Sequence, residues 1–440
     1  MKCSSLRVGS FWWLPQAGVG AVLSLALSCS SGPDSISGMG GMGGGGEAGS
    51  PVSAGGAGAG AAAGGSSGGG APSLGGSAGH QGGAGPGESA GAAAAAAPQG
   101  GQTGGGVSGV GAGGGAPSGP AVHYVGRVDT SGTTARFAWS GTGAVVRFNG
   151  TTVSVDLAGG QEYTVVVDGT VRPKLTATVG KNELAKGLAP GEHTVELYRR
   201  TEASEGESEI RGFDFGGGTL LAPPPVTRRL EFIGDSITCG YGNEGADATC
   251  KFMRETENHY LTYAALTARE LKAELSTVAW SGKGVVCNWG DDAASCTNPF
   301  PIYYDRILPN RADSAWDYSR FQPDAVVINL GTNDLSTESD PDEATFEAAY
   351  KALLQRVRKN YPSAHILCTN GPLLNGTDLV NVRRYIQESV ASLADPKIST
   401  FEIAAQDGSD GYGCDWHPSL ERHKKMATVV TAALKTALGW

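Results

Sequence analysis

Leu230-Glu231-Phe232-Ile233-Gly234-Asp235-Ser236-Ile237-Thr238 is the stretch that decides the fold of this chain. A short apolar run ends in glycine, and an Asp-Ser pair follows where a strand would hand over to a helix. Reading onward, Tyr260 to Leu271 has helical spacing and Leu275 to Trp280 reads as a strand. Ala325-Val326-Val327-Ile328-Asn329-Leu330 is apolar enough to be buried on both faces. A helix over 343–359, a strand over 365–369, a helix over 379–393, a strand over 400–403 and a helix over 420–438 complete the series. Alternating strands and helices with short connections predict an α/β unit, a parallel sheet covered on both sides, over residues 226–440. Residues 288–317 lack periodicity and read as an insertion in it.

Upstream the period changes to two. Val145-Val146-Arg147-Phe148 runs into Asn149-Gly150, and Val153-Ser154-Val155-Asp156-Leu157 follows. Tyr163-Thr164-Val165-Val166-Val167 meets Asp168-Gly169, and His193-Thr194-Val195-Glu196-Leu197 comes later. Asn-Gly and Asp-Gly between strand-like runs predict hairpin turns. Residues 121–225 therefore read as a small all-β sandwich of the jelly-roll kind, closed by Pro223-Pro224-Pro225. Before it, residues 31–120 hold 37 glycines in 90 positions, no aromatic of the Phe, Trp or Tyr type, and no Lys or Arg. Such a segment cannot bury enough apolar surface to offset the entropy of ordering its backbone, and the expectation for 30–120 is a disordered linker. Its glycines keep no three-residue period, which excludes collagen.

Lys2 and Arg7 followed by the short apolar run Ala17 to Leu27 read as an export signal over 1–29. Ala26-Leu27-Ser28-Cys29-Ser30 resembles the cleavage box of bacterial lipoproteins, which implies a lipid anchor at Cys29 and a cell-surface address, with ordinary secretion as the alternative. The chain from 121 on carries 31 basic and 40 acidic residues, and that acidic balance argues against nucleic acid as a partner. The six cysteines beyond Cys29 predict disulfides in an exported protein. Short loops favour Cys239–Cys250 and Cys287–Cys296, leaving Cys368 with Cys414. No CxxC pair exists, and the spacing fits no usual zinc pattern.

In open α/β sheets ligands bind beyond the carboxyl ends of the strands. Those ends carry Gly234-Asp235-Ser236, Ser281-Gly282-Lys283-Gly284, Gly331-Thr332-Asn333-Asp334 and, after the last strand, Cys414-Asp415-Trp416-His417-Pro418. One rim thus gathers a hydroxyl, glycine N–H groups, an amide and an imidazole: a nucleophile, a base and donors for a tetrahedral oxyanion. Asp235 and Asp334 read as structural acids bonding loop backbone, and His365 and His423 as structural histidines. Ser236 is not in a G-x-S-x-G elbow, which disfavours an ordinary α/β-hydrolase.

These four blocks resemble those of the SGNH (GDSL-like) hydrolases. Phe232 to Gly242 behind a β-sandwich, Tyr303-Tyr304-Asp305-Arg306 and Asp415-Trp416-His417-Pro418-Ser419 resemble carbohydrate esterase family two in particular. The resemblance covers about 121–440 and implies a three-layer α/β/α, flavodoxin-like hydrolase domain. It also implies Ser236 as nucleophile, His417 as general base, and Ser236 N–H, Gly282 N–H and the Asn333 side chain as oxyanion hole, with Gly284 in reserve for Gly282. Removal of O-acetyl groups from xylan- or glucomannan-type polysaccharide follows from it, with no cofactor and no metal. The common pattern places the triad Asp three residues before the His, where this chain has Cys414. Either Asp415 reaches the imidazole, or a backbone carbonyl orients His417 and the site is a Ser–His dyad. Trp289, in the insertion, reads either as a sugar-stacking wall or as core. The competing functions are a non-catalytic carbohydrate-binding surface protein and an esterase for another acyl substrate; no long amphipathic lid is visible, which disfavours lipid.

Overall fold

The computed structural model describes residues 119–292, 295–336 and 340–440. The export signal, Cys29 and nearly all of the glycine-rich segment lie outside them.

The α/β part has five parallel strands. In the order they lie in the sheet these are Glu274–Ala279, Arg229–Gly234, Ala325–Asn329, His365–Thr369 and Ile398–Thr400. Numbered along the chain that order is 2-1-3-4-5, the flavodoxin-like arrangement, whose topological switch point lies between the first and third strands. Alternation along each strand divides the apolar residues between two layers. Phe232, Val327 and Leu367 pack with Met426, Val430 and Leu434 of α5 (Leu420–Leu438). Ile233, Val326, Ile328 and Ile366 face Phe346, Leu353 and Val357 of α3 (Glu343–Asn360) and Val382 and Ile386 of α4 (Gly376–Ala391). The result is the expected three-layer α/β/α domain.

Element bounds shift by up to three residues from the sequence expectation, the helix expected over 379–393 lying at Gly376–Ala391, and in two elements the local reason is visible. The helix expected from Tyr260 begins at Tyr263, because Thr262 is extended (φ −73°, ψ 162°) and its side chain caps Ala265 N–H. The last strand is Ile398–Thr400 rather than 400–403, since beyond it the carbonyl of Ile403 is taken by Arg383 Nη2 at 2.9 Å instead of by a strand.

The preceding β part is two antiparallel sheets enclosing Phe137, Val146, Phe148, Val155, Val165 and Leu197. Asp168 (φ 49°) and Gly169 (φ 76°) make the two-residue turn between Glu162–Val167 and Thr170–Val171, the left-handed pair that such hairpins require. The expectation for Asn149-Gly150 is overturned. The strand Gly143–Gly150 runs through both residues, pairing Asn149 with Glu192, and the next strand, Val153–Leu157, belongs to the opposite sheet. The chain crosses between the two sheets there, so the apolar residues on either side serve the same core from facing layers.

The β part is joined to the α/β part by a buried ion pair. Arg127, on the loop after the strand His123–Val125, places Nη2 3.3 Å from Glu231 Oε2 in the first strand of the parallel sheet, and both side chains are fully buried. Glu231 also accepts from Tyr361 OH (2.9 Å), Tyr304 OH (3.2 Å) and Ser276 Oγ (3.3 Å). Arg127 donates to the carbonyls of Tyr304 and Arg306 and lies against the rings of Tyr304, Trp316 and Tyr318. Tyr304, Arg306 and Trp316 of the insertion over 288–317 thus help to form the socket for this arginine.

Candidate active site

Gly234 ends the first strand where a Cβ would come within 2.1 Å of Thr238 Oγ1, so only glycine lets the strand turn this tightly into α1 (Ser236–Cys239). Asp235 caps that turn, accepting Ile237 N–H at 3.0 Å. This use of its carboxylate is structural; burial pushes its pKa up to about 7. Ser236 follows at the sheet's topological switch, and its N–H bonds no protein acceptor among the described residues.

His417 Nε2 stands 2.8 Å from Ser236 Oγ. Its Nδ1 is 3.1 Å from the main-chain carbonyl of Asp415. A carbonyl can only accept, so Nδ1 carries the proton and Nε2 is left as the acceptor for the Ser236 hydroxyl. Desolvation lowers the imidazole's pKa, against the opposing pull of the Asp415 and Cys414 backbone bonds, to about 4. The ring is therefore neutral at pH 7 and ready to take a proton.

The carboxylate of Asp415 does not meet the imidazole. It accepts from Lys251 Nζ (2.9 Å), Phe252 N–H (3.0 Å) and Tyr241 OH (3.2 Å) on the far side of the loop. The Lys251 bond is the largest of the influences that hold this carboxyl below its ordinary range. Asp415 and Trp416 both have positive φ (50° and 65°), and these two successive left-handed residues turn the Asp415 carbonyl toward His417 while sending its side chain outward. Of the two arrangements open from sequence, the geometry is that of the dyad.

Cys414, at the position where the common pattern has its acid, is disulfide-bonded to Cys250. The expected Cys239–Cys250 and Cys368–Cys414 pairs are absent, whereas Cys287–Cys296 is present. Cys239 lies in the short α1 and Cys368 inside the sheet, both fully buried, while Cys250 and Cys414 sit on neighbouring rim loops. Folding sets the distances that loop length in the unfolded chain cannot.

Across the cleft, Asn333 Nδ2 bonds the carbonyl of Lys283 at 3.0 Å, tying the loop after the third strand to the loop after the second. Asp334 binds three successive N–H groups of that loop: Val285 (2.8 Å), Val286 (2.7 Å) and Cys287 (3.0 Å). Gly282 has φ +75°, and its N–H bonds no protein acceptor among the described residues. Gly284, the reserve donor, has its N–H turned to Asn288 Oδ1 at 3.4 Å, and a Cβ there would come within 1.9 Å of the Cys287 carbonyl. Gly282 is the better-placed donor.

Trp289 is 68% exposed, which removes the core reading; its N–H bonds the Gly282 carbonyl at 2.9 Å. Trp416, one residue before His417, is 60% exposed and packs edge-on to Tyr412. Two features escaped the sequence reading. Trp416 stands in the Cys414-Asp415-Trp416-His417 string, where only its neighbour His417 marks it, and Tyr241, whose ring covers the imidazole at a 4.3 Å centroid distance, sits in the Gly240-Tyr241-Gly242 string, where only its nearness to Ser236 does. His423 is buried among aromatic and helix residues, accepting Tyr263 N–H, and His365 lies on its strand away from these groups.

A Ser–His pair at the switch point of a 2-1-3-4-5 sheet, with open N–H groups and an amide on the adjoining loops, defines a GDSL-like serine hydrolase. The family models agree: the Carbohydrate esterase 2 N-terminal model matches residues 124–225, and the GDSL-like Lipase/Acylhydrolase family model matches residues 232–425. The solved family two carbohydrate esterase from Clostridium thermocellum, in complex with cellohexaose, is 44% identical. The match covers 72% of this chain and 99% of that one, at a TM-score of 0.69. The Cellulase/esterase CelE of Acetivibrio thermocellus is 46% identical over 333 residues, 73% of this chain but only 40% of that protein. An Acetylxylan esterase / glucomannan deacetylase of Cellvibrio japonicus is 28% identical over 340 residues, 74% of this chain and 91% of that one. The chain belongs to carbohydrate esterase family two and is a carboxylic ester hydrolase.

Proposed function

We propose that this enzyme removes O-acetyl groups from xylan- or glucomannan-type polysaccharide by a Ser–His dyad. The observation that carries the chemistry is the 2.8 Å Ser236–His417 contact with the imidazole's other nitrogen held by a carbonyl. In the first half-reaction Ser236 Oγ attacks the acetyl carbonyl carbon as its proton passes to His417 Nε2. The negative oxygen of the tetrahedral intermediate is met by Ser236 N–H, Gly282 N–H and Asn333 Nδ2, donors of a kind worth about 2.7–4 kcal/mol each. Collapse breaks the ester bond, and His417 Nε2–H protonates the departing sugar oxygen. Water then gives its proton to the same nitrogen as it attacks the acyl-serine; collapse of the second intermediate breaks the bond to Ser236 Oγ, which takes the proton back from His417, and acetate is released as its acid.

The substrate class rests on the names of the relatives and on the exposed Trp289 and Trp416, flat surfaces suited to stacking on sugar rings. Acetate release from acetylated glucomannan and xylan, measured beside 4-nitrophenyl acetate, tests both parts. Full activity of Ser236→Ala would sink the mechanism, and a wild type inactive on every ester would leave the carbohydrate-binding alternative. Hydrolysis of the chromogenic ester without release from either polysaccharide would sink the substrate class.

The proposed location is the bacterial cell surface, through lipidation of Cys29, with the 90-residue glycine-rich segment as tether. Two disulfides fit an oxidising compartment. Cys29→Ser should move the enzyme from the membrane fraction to the soluble one; an unchanged membrane fraction would overturn the anchor.

A further inference from the structure

We infer that Glu202, a residue of the β part, is a positioning residue for the oxyanion hole. It lies just past the strand Gly191–Arg199, and its side chain crosses into the α/β part, where Oε2 accepts Ser281 N–H at 2.8 Å. Ser281 immediately precedes Gly282, whose N–H is a proposed oxyanion donor, so the inference rests on that reading. The peptide that carries the Gly282 N–H is the middle one of a turn closed by Lys283 N–H on the Trp280 carbonyl at 3.3 Å, and the peptides on either side of it are held as well. Before it, Glu202 holds Ser281 N–H; after it, Trp289 N–H holds the Gly282 carbonyl at 2.9 Å. A glycine at φ +75° with open space where a Cβ would be has no steric means of its own to keep that peptide plane. The turn bond closes the loop and the brace anchors its first peptide to buried structure, and pre-aimed donors are what make an oxyanion hole effective.

Glu202 is itself tightly held, with only 2% of its surface exposed. Its N–H bonds Glu257 Oε2 (3.2 Å), and its carbonyl receives Arg199 Nη2 (2.6 Å) and Glu205 N–H (3.2 Å). Cys239, in the same short helix as Ser236, approaches Glu202 Oε2 at 3.8 Å. One carboxyl therefore touches both the nucleophile's helix and the oxyanion loop. Burial raises the pKa of Glu202, and that of Glu257 further. The role needs an acceptor and not a charge.

The test is a steady-state comparison of Glu202→Leu, Glu202→Gln and Ser236→Ala with the wild type on 4-nitrophenyl acetate, with thermal unfolding followed in parallel. The expected result is a 10- to 100-fold lower kcat for Glu202→Leu, with KM within about threefold. Glu202→Gln, which keeps an acceptor oxygen, should retain kcat within about threefold. Wild-type kcat in a folded Glu202→Leu, a loss confined to KM, or a Gln variant as impaired as Leu would each overturn the inference. Should Glu202→Leu fail to fold, hydrogen exchange at the Ser281 amide of the wild type decides. Sheet-like protection upholds the brace, and loop-like exchange removes it. An active Ser236→Ala would instead overturn the reading beneath, which separates the two failures.

Discussion

The loop that carries His417 is fastened from outside, by the Cys250–Cys414 disulfide and by an Asp415 carboxylate bonded to the partly exposed Lys251 and Phe252 segment. The loop that carries Gly282 is fastened from beneath, by Asp334 and Glu202, acids with no or almost no exposed surface. Both loops present a main-chain group to the reacting atoms: a carbonyl to the imidazole on one side, an N–H to the oxyanion on the other. A covalent bond and surface contacts suffice where a single carbonyl must be aimed. Where several N–H groups must be aimed at once, buried carboxylates do it, because each can accept more than one and none is lost to water. Acids that look alike in the sequence thus carry very different weight.

The largest effect should come from the buried side. Asp334→Ala leaves three N–H groups without acceptors, and at about 1–3 kcal/mol per buried unsatisfied group the loss approaches the stability of a typical domain, about 5–15 kcal/mol. The thermal midpoint should collapse and activity with it; a wild-type melting curve would break the comparison. Asn333→Ala should keep the fold and lower kcat by about 10²–10³, the cost of one oxyanion donor, with KM little changed. A purely KM effect would remove Asn333 from the hole.

On the outer side, Cys250→Ser with Cys414→Ser should cost about 2–5 kcal/mol in denaturant unfolding and lower kcat, since the His417 loop loses its bolt. Unchanged kcat would mean that the hydrogen bonds alone aim the imidazole. Asp415→Asn should reduce kcat/KM less than about tenfold, whereas loss of a required triad acid costs about 10⁴. A loss of that larger size would restore the triad. The smallest effect is in pH. A histidine that must be neutral, with its pKa lowered to about 4, keeps its base form as the solution is acidified, so the acid limb of kcat/KM should fall below pH 6.5. A limb at or above 6.5 would show an imidazole that the site leaves in ordinary solvent.

The sheet and its helices were legible because burial on two faces writes long apolar runs, as at 325–330, and because Gly234-Asp235-Ser236 marks a strand-to-helix turn. Strand ends then pointed to Ser236, Asn333 and His417 without any contact being known. What the sequence withheld was direction. Nothing in Cys414-Asp415-Trp416-His417 says that two successive left-handed residues send the acid away and the carbonyl inward. Asn149-Gly150 misled for a related reason: a pair suited to a hairpin stands where the strand continues before crossing to the facing sheet. Glu202 gave no signal at all, lying in another domain on an irregular segment, and only the packed fold brings it beneath Ser281.

The Arg127–Glu231 pair sets the terms on which this enzyme can be rearranged. A hydrolase domain cut free at the proline run would keep Glu231 in the middle of its sheet with no cation to face it, and an unpartnered buried charge costs about 3–5 kcal/mol. The β domain would be left with an arginine made for another domain's interior. Recombination that shuffles modules must therefore inherit the two as one cassette, and chimaeras that exchange the β domain should be screened first for an arginine at this position.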